Sequence, residues 1–149
     1  MTPTLAGRWQ TRIVLLATIG LLITLIFTII TQSAVFLFVL LYIALFGLVW
    51  DVVYIVLQRF RWDRDWPPIF AWLAALWEGA FIFVLAAVVA LPGLPPGGLP
   101  PLAFMLHYGL VWTVIFLWMQ GPMRALFPFW RFHGGRIVPG VSAGQQRRG

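Results

Sequence analysis

Four long apolar runs, separated by short polar or proline-rich segments, make up most of the chain. They cover residues 13–30, 34–57, 69–91 and 102–119. Because an α-helix rises 1.5 Å per residue, about 20 residues cross a hydrocarbon core of about 30 Å. The runs lack the alternation of a barrel strand and are about twice too long for one. The pattern predicts an all-α integral membrane protein, a bundle of four transmembrane helices at about 13–31, 34–58, 69–91 and 102–119.

The chain changes character after the fourth run. Gly121 and Pro122 end the apolar run, and residues 122–132 mix two arginines with aromatic side chains. Arginines that face lipid phosphates and rings that face acyl chains are typical of a segment lying on the membrane surface. We therefore expect a transmembrane domain over residues 1–133, with an interfacial segment at 122–132. The glycine- and arginine-rich residues 134–149 are expected to form a flexible basic tail.

The ten basic residues are all arginines, and they follow one rule of placement. They are Arg8, Arg12, Arg59, Arg61, Arg64, Arg124, Arg131, Arg136, Arg147 and Arg148. We place Arg8 and Arg12 before the first helix, and the others in the second connection or after the fourth helix. The first and third connections carry no charge, so every arginine falls on one side. The positive-inside rule predicts that this side, with both termini, is cytoplasmic.

Composition agrees with a membrane protein and excludes several classes. Apolar residues make up 62% and charged residues 9% of the chain, too few charges for a soluble or disordered chain. Without cysteine there is no disulfide, thiolate metal site or cysteine nucleophile. The net charge of +6 alone would suggest nucleic acid, but arginines beside apolar runs indicate topology, and we expect no nucleic-acid partner. The absence of lysine and asparagine suggests a GC-rich bacterial genome, and hence the bacterial inner membrane.

Asp51 and Glu78 are the two acidic residues inside apolar runs. Asp51 lies about 12 Å before Arg59 and Glu78 about 15 Å after Pro68, so both reach a similar depth. A carboxylate at mid-membrane costs about 2.5–3.5 kcal/mol, and such groups usually face protein or a water-filled cavity. We expect the two acids to face each other and one of them to carry a proton at neutral pH.

The residues around this carboxyl pair extend the predicted site. Trp50 and Tyr54 share the helical stripe of Asp51, and we include both as candidates for binding a proton, cation or small ligand. Ala71, Ala75 and Gly79 form a small-residue stripe that allows close helix approach. The alternative is that each acid only forms hydrogen bonds that hold two helices in register.

A second cluster of charges lies in the connection between the second and third runs. It comprises Arg61, Asp63, Arg64 and Asp65, between two tryptophans. These residues are candidates for contact with a partner or a lipid headgroup. Exposed ion pairs are common, however, so an interfacial turn is the interpretation we favour.

His107 and His133 complete the candidates for chemistry. A b-type haem requires two histidines on facing helices, and these two are predicted on opposite sides of the membrane. We expect no cofactor and no metal. The chain also has no phosphate-binding loop, dinucleotide fingerprint or nucleophile elbow. These absences weigh against an enzyme, although that class stays open.

Three classes of function fit these observations. The first is a carrier that binds or relays a proton, cation or small ligand at the carboxyl pair; four helices alone enclose little, so we expect a homo-oligomer. In size and in having an intramembrane acid the chain resembles the small multidrug-resistance transporters, whose acid lies in the first helix, where this chain has none. The second class is an accessory subunit bound to another membrane protein. The third is a membrane enzyme that uses the acid on an apolar substrate.

Overall fold

The computed structural model describes residues 3–62 and 66–138, and its regular structure there is entirely helical. The elements are α1 (Leu5–Leu15), a π-helical turn (Leu16–Gly20), α2 (Leu21–Thr31), α3 (Val35–Arg59), α4 (Pro68–Val88), α5 (Pro101–Gln120), α6 (Pro122–Leu126) and α7 (Pro128–Phe132). The first three are continuous and are called here the first span. Within these described residues, four helices are long and apolar enough to cross a membrane, which confirms the predicted all-helical fold with four membrane-length helices.

The first span begins at Leu5, eight residues before the apolar run that predicts it. Thr4 has extended backbone and caps the helix, since its hydroxyl accepts a hydrogen bond from the N–H of Gly7 at 3.2 Å. Hydropathy marks where a chain enters lipid, whereas the cap marks where the helix starts. As a correction to the sequence analysis, Arg8 and Arg12 do not precede the first helix but lie inside its first turns.

The π-helical turn changes which face of the first span is buried. The buried residues are Gly7, Thr11 and Leu15 before it, Leu16 and Gly20 within it, and Thr24 after it. Successive buried residues are thus four positions apart up to Leu15 and again four apart from Leu16 onward, whereas Leu15 and Leu16 are neighbours in the chain. In a regular α-helix Arg12 and Thr24 would be about 120° apart around the axis. The one extra residue of the π turn reduces this to about 20°, so both residues face the other helices.

An aliphatic core holds the long helices together. It includes Leu16 of the first span, Val39 and Ile43 of α3, Ile82 of α4 and Val111 of α5. Many other large apolar side chains of these helices are exposed. Such a surface is unfavourable in water and is the expected surface of helices that contact lipid.

The two connections without arginine close the opposite end of the bundle. Gln32 adopts a left-handed conformation with φ of 50° and ends the first span. Helix α4 ends at Val88, three residues earlier than its apolar run. The following proline- and glycine-rich connection packs back on the helices, because Leu99 is buried and the Tyr42 hydroxyl donates to the carbonyl of Pro92 at 2.8 Å.

The segment after α5 packs against α1. Trp130 of α7 is buried, and its indole N–H donates to the Thr11 hydroxyl at 2.8 Å, which in turn donates to the carbonyl of Gly135 at 2.9 Å. Residues 134–138, expected to be part of a flexible tail, therefore lie along α1. Residues 139–149, the rest of that expected tail, lie outside the described residues.

Both ends of the described chain lie at the same end of the bundle. The N–H of Thr4 donates to the carbonyl of Gly134 at 2.8 Å, and Arg8 reaches Gln58 near the end of α3. All the arginines that the structure describes belong to the chain segments at this end. We call it the arginine-rich end; these residues are Arg8, Arg12, Arg59, Arg61, Arg124, Arg131 and Arg136.

Candidate functional site: a charged cluster beside a cavity

Arg12 of α1 lies between Asp51 and Glu78, the two acids inside apolar runs, and bonds both. Its Nε and Nη2 donate to the Asp51 carboxylate of α3 at 2.8 and 3.0 Å. Its Nη1 and Nη2 donate to the Glu78 carboxylate of α4 at 2.9 and 3.1 Å. Two bidentate, charge-assisted contacts are among the strongest polar interactions in proteins. One guanidinium thus ties three helices together.

The sequence analysis brought Asp51 and Glu78 together but missed Arg12. The structure places both acids, each at most 5% exposed, around that guanidinium, so a positive charge separates them. The signal was present: Arg12 directly precedes the first apolar run at the end where both acids lie, and an arginine stem is long enough to reach inward. The expected proton on one acid was argued from repulsion between two carboxylates, and Arg12 supplies attraction to both.

Arg8 lies one helical turn before Arg12 and completes the cluster. Its Nη1 is 3.9 Å from an Asp51 carboxylate oxygen, and its Nη2 donates to Gln58 at a long 3.4 Å. Its guanidinium carbon lies 4.4 Å from the ring centre of Trp66 and 5.8 Å from that of Tyr54, within the range of cation–π attraction. The Arg8 Nε is buried and has no hydrogen-bond partner.

The four charged side chains balance in number. Arg8 and Arg12 oppose Asp51 and Glu78, so the cluster is formally neutral when all four are ionised. Burying such a network stabilises a protein little, but removing one member leaves an uncompensated charge, which is strongly destabilising. The cluster is therefore sensitive to the loss of any single charge.

A glycine makes room for the central guanidinium. A Cβ at Gly47 of α3 would collide with the Arg12 guanidinium, so a larger residue would displace that group from between the acids. On α4, a Cβ at Gly79 would likewise collide with the ring of Tyr108. The Tyr108 hydroxyl donates to the carbonyl of Ala75 at 2.6 Å, which joins α5 to the small-residue stripe of α4.

Of the two aromatic candidates, Tyr54 belongs to the site and Trp50 lies beside it. The Tyr54 side chain is buried and its hydroxyl interacts electrostatically with Glu78. That hydroxyl makes no hydrogen bond of ordinary length and angle to any described residue. Trp50 instead stacks on Tyr54 with ring centres 6.3 Å apart and packs edge-on against Trp77.

A cavity of about 240 Å³ borders the charged cluster. Its walls come from the first span, α3, α4 and α5, and it includes both arginines, both acids and Tyr54. Pro3, Gln120 and Arg124, all from chain segments at the arginine-rich end, also contribute to the wall. The cluster is therefore buried in the protein yet adjoins a space. At about 240 Å³ this space is smaller than the roughly 300–1,000 Å³ of typical small-molecule sites, so it fits only a ligand of few atoms.

The predicted contact residues of the second connection are only partly described. The Arg61 guanidinium lies 5.0 Å from the ring centre of Phe70, so this arginine packs on the start of α4. Asp63, Arg64 and Asp65 lie outside the described residues. Their predicted contact with a partner or headgroup stays a prediction.

His107 forms a separate polar contact in the other half of the bundle. Its Nε2 lies 2.8 Å from the hydroxyl of Thr24, and that hydroxyl donates to the carbonyl of Gly20 at 2.7 Å. A hydroxyl has one proton, so this arrangement requires Nε2 to donate to Thr24. Phe27 and Phe36 pack against the imidazole, with ring centres 5.2 and 4.9 Å away.

Neither a metal site among the described residues nor similarity to a known protein identifies the function of this site. Within residues 3–62 and 66–138, no group of three or more histidine, aspartate or glutamate side chains could hold a metal ion. The chain has no match among family models, curated proteins or solved structures. The function is therefore argued from the geometry alone.

Proposed function

We propose that this chain is a multi-pass protein of the bacterial inner membrane that binds a small ligand beside its intramembrane charged cluster. The observation that carries this proposal is the cavity next to Arg12, Asp51 and Glu78. Its wall includes Arg8, whose buried Nε has no hydrogen-bond partner, and Tyr54, whose buried hydroxyl interacts with Glu78 without a hydrogen bond of ordinary geometry. Buried polar groups are rarely left unpaired without a reason. A bound ligand would satisfy them.

A polar ligand fits this cavity better than a free cation. A cation would have to displace Arg12 from both carboxylates, which already accept four hydrogen bonds from it. The Arg8 Nε can only donate a hydrogen bond, whereas the Tyr54 hydroxyl can donate or accept one, so a ligand that offers acceptor oxygens could bind both. Proton relay through Asp51 and Glu78 would equally require Arg12 to move, and it is the weaker form of the proposal.

The proposed orientation has both termini in the cytoplasm. It is supported by the seven described arginines of the arginine-rich end and by the contact between Thr4 and Gly134 at that end. A fluorescent protein fused to the carboxy terminus should fold and fluoresce, whereas an alkaline phosphatase fusion at the same place should be inactive. The reverse pattern would contradict this orientation.

The mass of the protein extracted from its own membranes tests ligand binding. Native mass spectrometry in a mild detergent should detect the wild-type chain with a bound small molecule. Ala74→Phe, which fills the cavity from α4, should lose that added mass. Val84→Phe places the same ring on an exposed part of α4 outside the cavity and should retain it.

Two results would refute the proposal. One is a wild-type chain without any added mass. The other is the same added mass in Ala74→Phe as in the wild type, at equal expression and helical content. Asp51→Asn and Glu78→Gln then locate the ligand: loss of the added mass in either variant, with normal membrane insertion, places it against the charged cluster.

The same spectra also address the predicted partners. A homo-oligomer would be detected as a multiple of the 16.9 kDa chain, and another membrane protein as an unrelated mass. Use of Asp51 or Glu78 as a general acid on an apolar substrate is a second proposal for the same cavity, since it needs both acid and ligand there. It would be supported by a chemically altered ligand in the wild type and an unaltered ligand in Glu78→Gln.

A further inference from the structure

A groove of about 360 Å³ lies between α4 and α5 on the outer surface of the bundle. Every residue of its wall is uncharged, and Leu76 of α4 and Met105 of α5, which belong to that wall, are more than half exposed. On α5 the groove extends from Pro101 to Thr113, about 18 Å or somewhat more than three helical turns. This length suits contact with another helix.

Gly109 of α5 lines this groove without a packing reason inside its own chain. Glycine destabilises a helix relative to alanine, so a glycine inside a helix usually serves a close approach. At the other helical glycines that the structure describes, a Cβ would collide with or press on a neighbouring part of the chain; these are Gly7, Gly20, Gly47 and Gly79. A Cβ at Gly109 would meet nothing within 4 Å. The space beside Gly109 is therefore open to a molecule outside this chain.

The hydroxyl of Thr113, one turn after Gly109, is a second and independent indication. Three other threonines of the helices donate to the carbonyl four residues earlier at 2.7 Å; these are Thr18, Thr24 and Thr31. The Thr113 hydroxyl has no hydrogen-bond partner among the described residues. Hydrocarbon offers no acceptor to such a group, whereas threonine hydroxyls commonly bond from one membrane helix to another. This hydroxyl therefore indicates a protein neighbour and not an acyl chain.

We infer that the groove is occupied by a second copy of this chain, in a dimer that packs α5 against α5. Two small residues four positions apart, as Gly109 and Thr113 are, allow the backbones of two membrane helices to approach closely. In such a pair the Thr113 hydroxyl lies beside the backbone carbonyls of the other helix. The inference does not depend on any ligand in the cavity beside the charged cluster.

The exposed face of α5 is complementary to itself, which favours a second copy over a different protein. A two-fold axis normal to the membrane brings equal depths of two parallel helices together, so the small residues meet each other. Leu106 lies about 60° around α5 from Gly109, on the side away from the groove, and is more than half exposed. The axis places this side of one copy against the groove side of the other. Each copy thus offers both a groove and a projecting side chain to fill it.

Oxidative cross-linking in the cell's own membranes tests this inference. The chain has no cysteine, so an introduced thiol can pair only with another copy or with a different protein. Leu106→Cys should yield a disulfide-linked species of twice the 16.9 kDa chain. Leu41→Cys is the matched control, because it is also exposed and lies at a similar depth, about 9 Å into α3 compared with about 8 Å into α5. It should remain monomeric.

Sedimentation equilibrium of the full chain in a density-matched detergent measures the dissociation constant of the dimer. Gly109→Phe fills the contact and should raise this constant at least about tenfold. Leu45→Phe adds a ring on the exposed face of α3 at a similar depth and should leave it unchanged. Thr113→Val should raise it about threefold for each hydroxyl lost. At a dilution that separates the copies, Gly109→Phe should retain the helical content of the wild type, since its Cβ has open space.

Four results would overturn the inference. One is equal cross-linking of Leu106→Cys and Leu41→Cys, which indicates random collision. Another is a wild-type chain that stays monomeric at every detergent dilution. The third is a dissociation constant unchanged in both Gly109→Phe and Thr113→Val, which places the dimer contact elsewhere. The fourth is cross-linking of Leu106→Cys only to an unrelated mass, which identifies a different membrane protein as the occupant of the groove.

Discussion

The charged cluster around Arg12 and the Thr24–His107 contact are two polar sites inside the same bundle, and they differ in charge and in surroundings. Arg12 lies about 10 Å from the beginning of the first span, and Thr24 about 10 Å from its other end. The cluster contains four ionisable groups and borders the cavity. Thr24 and His107 are completely buried beside phenylalanine rings, and neither lines the cavity.

This difference in surroundings indicates which of the two polar sites could bind a ligand. The Thr24 hydroxyl is satisfied by Gly20 and His107, and His107, whose Nδ1 has no partner, does not line the cavity beside the charged cluster. Its position is that of a helix-to-helix contact, for which hydrogen bonds of modest strength suffice. The unpartnered groups of the cluster, by contrast, lie where a ligand could reach them.

The largest decrease in the free energy of unfolding is expected when the Arg12 guanidinium is removed. Arg12→Leu leaves Asp51 and Glu78 buried with only Arg8 nearby, and breaking a buried ion pair in this way costs about 3–5 kcal/mol. The free energy of unfolding, measured by detergent denaturation in mixed micelles, should fall by that amount.

A second variant shows whether charge balance is the cause. Arg12→Leu combined with Glu78→Gln leaves one cation, Arg8, and one anion, Asp51. This double variant should be more stable than Arg12→Leu alone. If it were equally or less stable, the cluster would not depend on balanced charge, and the contrast with the uncharged Thr24–His107 contact would lose its basis.

A smaller decrease in the free energy of unfolding is expected from substituting Gly47, which packs against the Arg12 guanidinium. Gly47→Ala should displace Arg12 and cost about 1–3 kcal/mol, the usual penalty of overpacking. Gly109→Ala is the matched control, since its Cβ has open space and alanine favours helix. Unfolding of both variants in mixed micelles compares them directly, and equal stability would mean that Gly47 does not position the cluster.

The Thr24–His107 contact should contribute less than the ion pairs. A double-mutant cycle of Thr24→Val and His107→Phe should give a coupling free energy of about 0.6 kcal/mol, the average for hydrogen bonds between membrane helices, and not more than the maximum of about 1.7 kcal/mol. A coupling as large as that between Arg12 and Glu78 would show that the two sites do not differ in strength.

The smallest effect is expected from removing the extra residue of the π turn. Deletion of the exposed Ala17 should yield a regular α-helix in which Arg12 and Thr24 keep a common face. It should therefore cost less than Gly47→Ala. Insertion of an alanine after Thr18 rotates the two sites apart by about 100° and should cost far more. Similar unfolding free energies for the deletion and the insertion would contradict the proposed register role of this turn.

Much of the fold could be predicted from the sequence because hydropathy and proline positions report on helix length. Pro68 and Pro101 begin α4 and α5, where Pro at the first helical position is favoured. The similar depth of Asp51 and Glu78 followed from counting turns from a shared connection. These features depend on local spacing along one or two helices.

The features that were not predicted depend on contacts between helices, which the spacing of residues along one helix does not reveal. Arg12 reaches the acids because its helix starts at Leu5, directly after the Thr4 cap, and because Gly47 leaves space on α3. Thr24 meets His107 only because a π turn shifts the first span by one residue, which no hydropathy pattern marks. The packing of residues 134–138 on α1 likewise rests on the close approach of Gly134 to Gly7.

The central proposal is that the charged cluster borders a cavity that water enters at the arginine-rich end, where Pro3, Gln120 and Arg124 form part of its wall. The chain has no cysteine, so a single introduced thiol reports its own surroundings. Ala74→Cys lines the cavity, whereas Leu73→Cys is the adjacent residue of α4 on the exposed apolar surface. A membrane-impermeant maleimide added to inside-out vesicles should modify Ala74→Cys and leave Leu73→Cys unmodified. Protection of both thiols, or equal modification of both, would contradict the account.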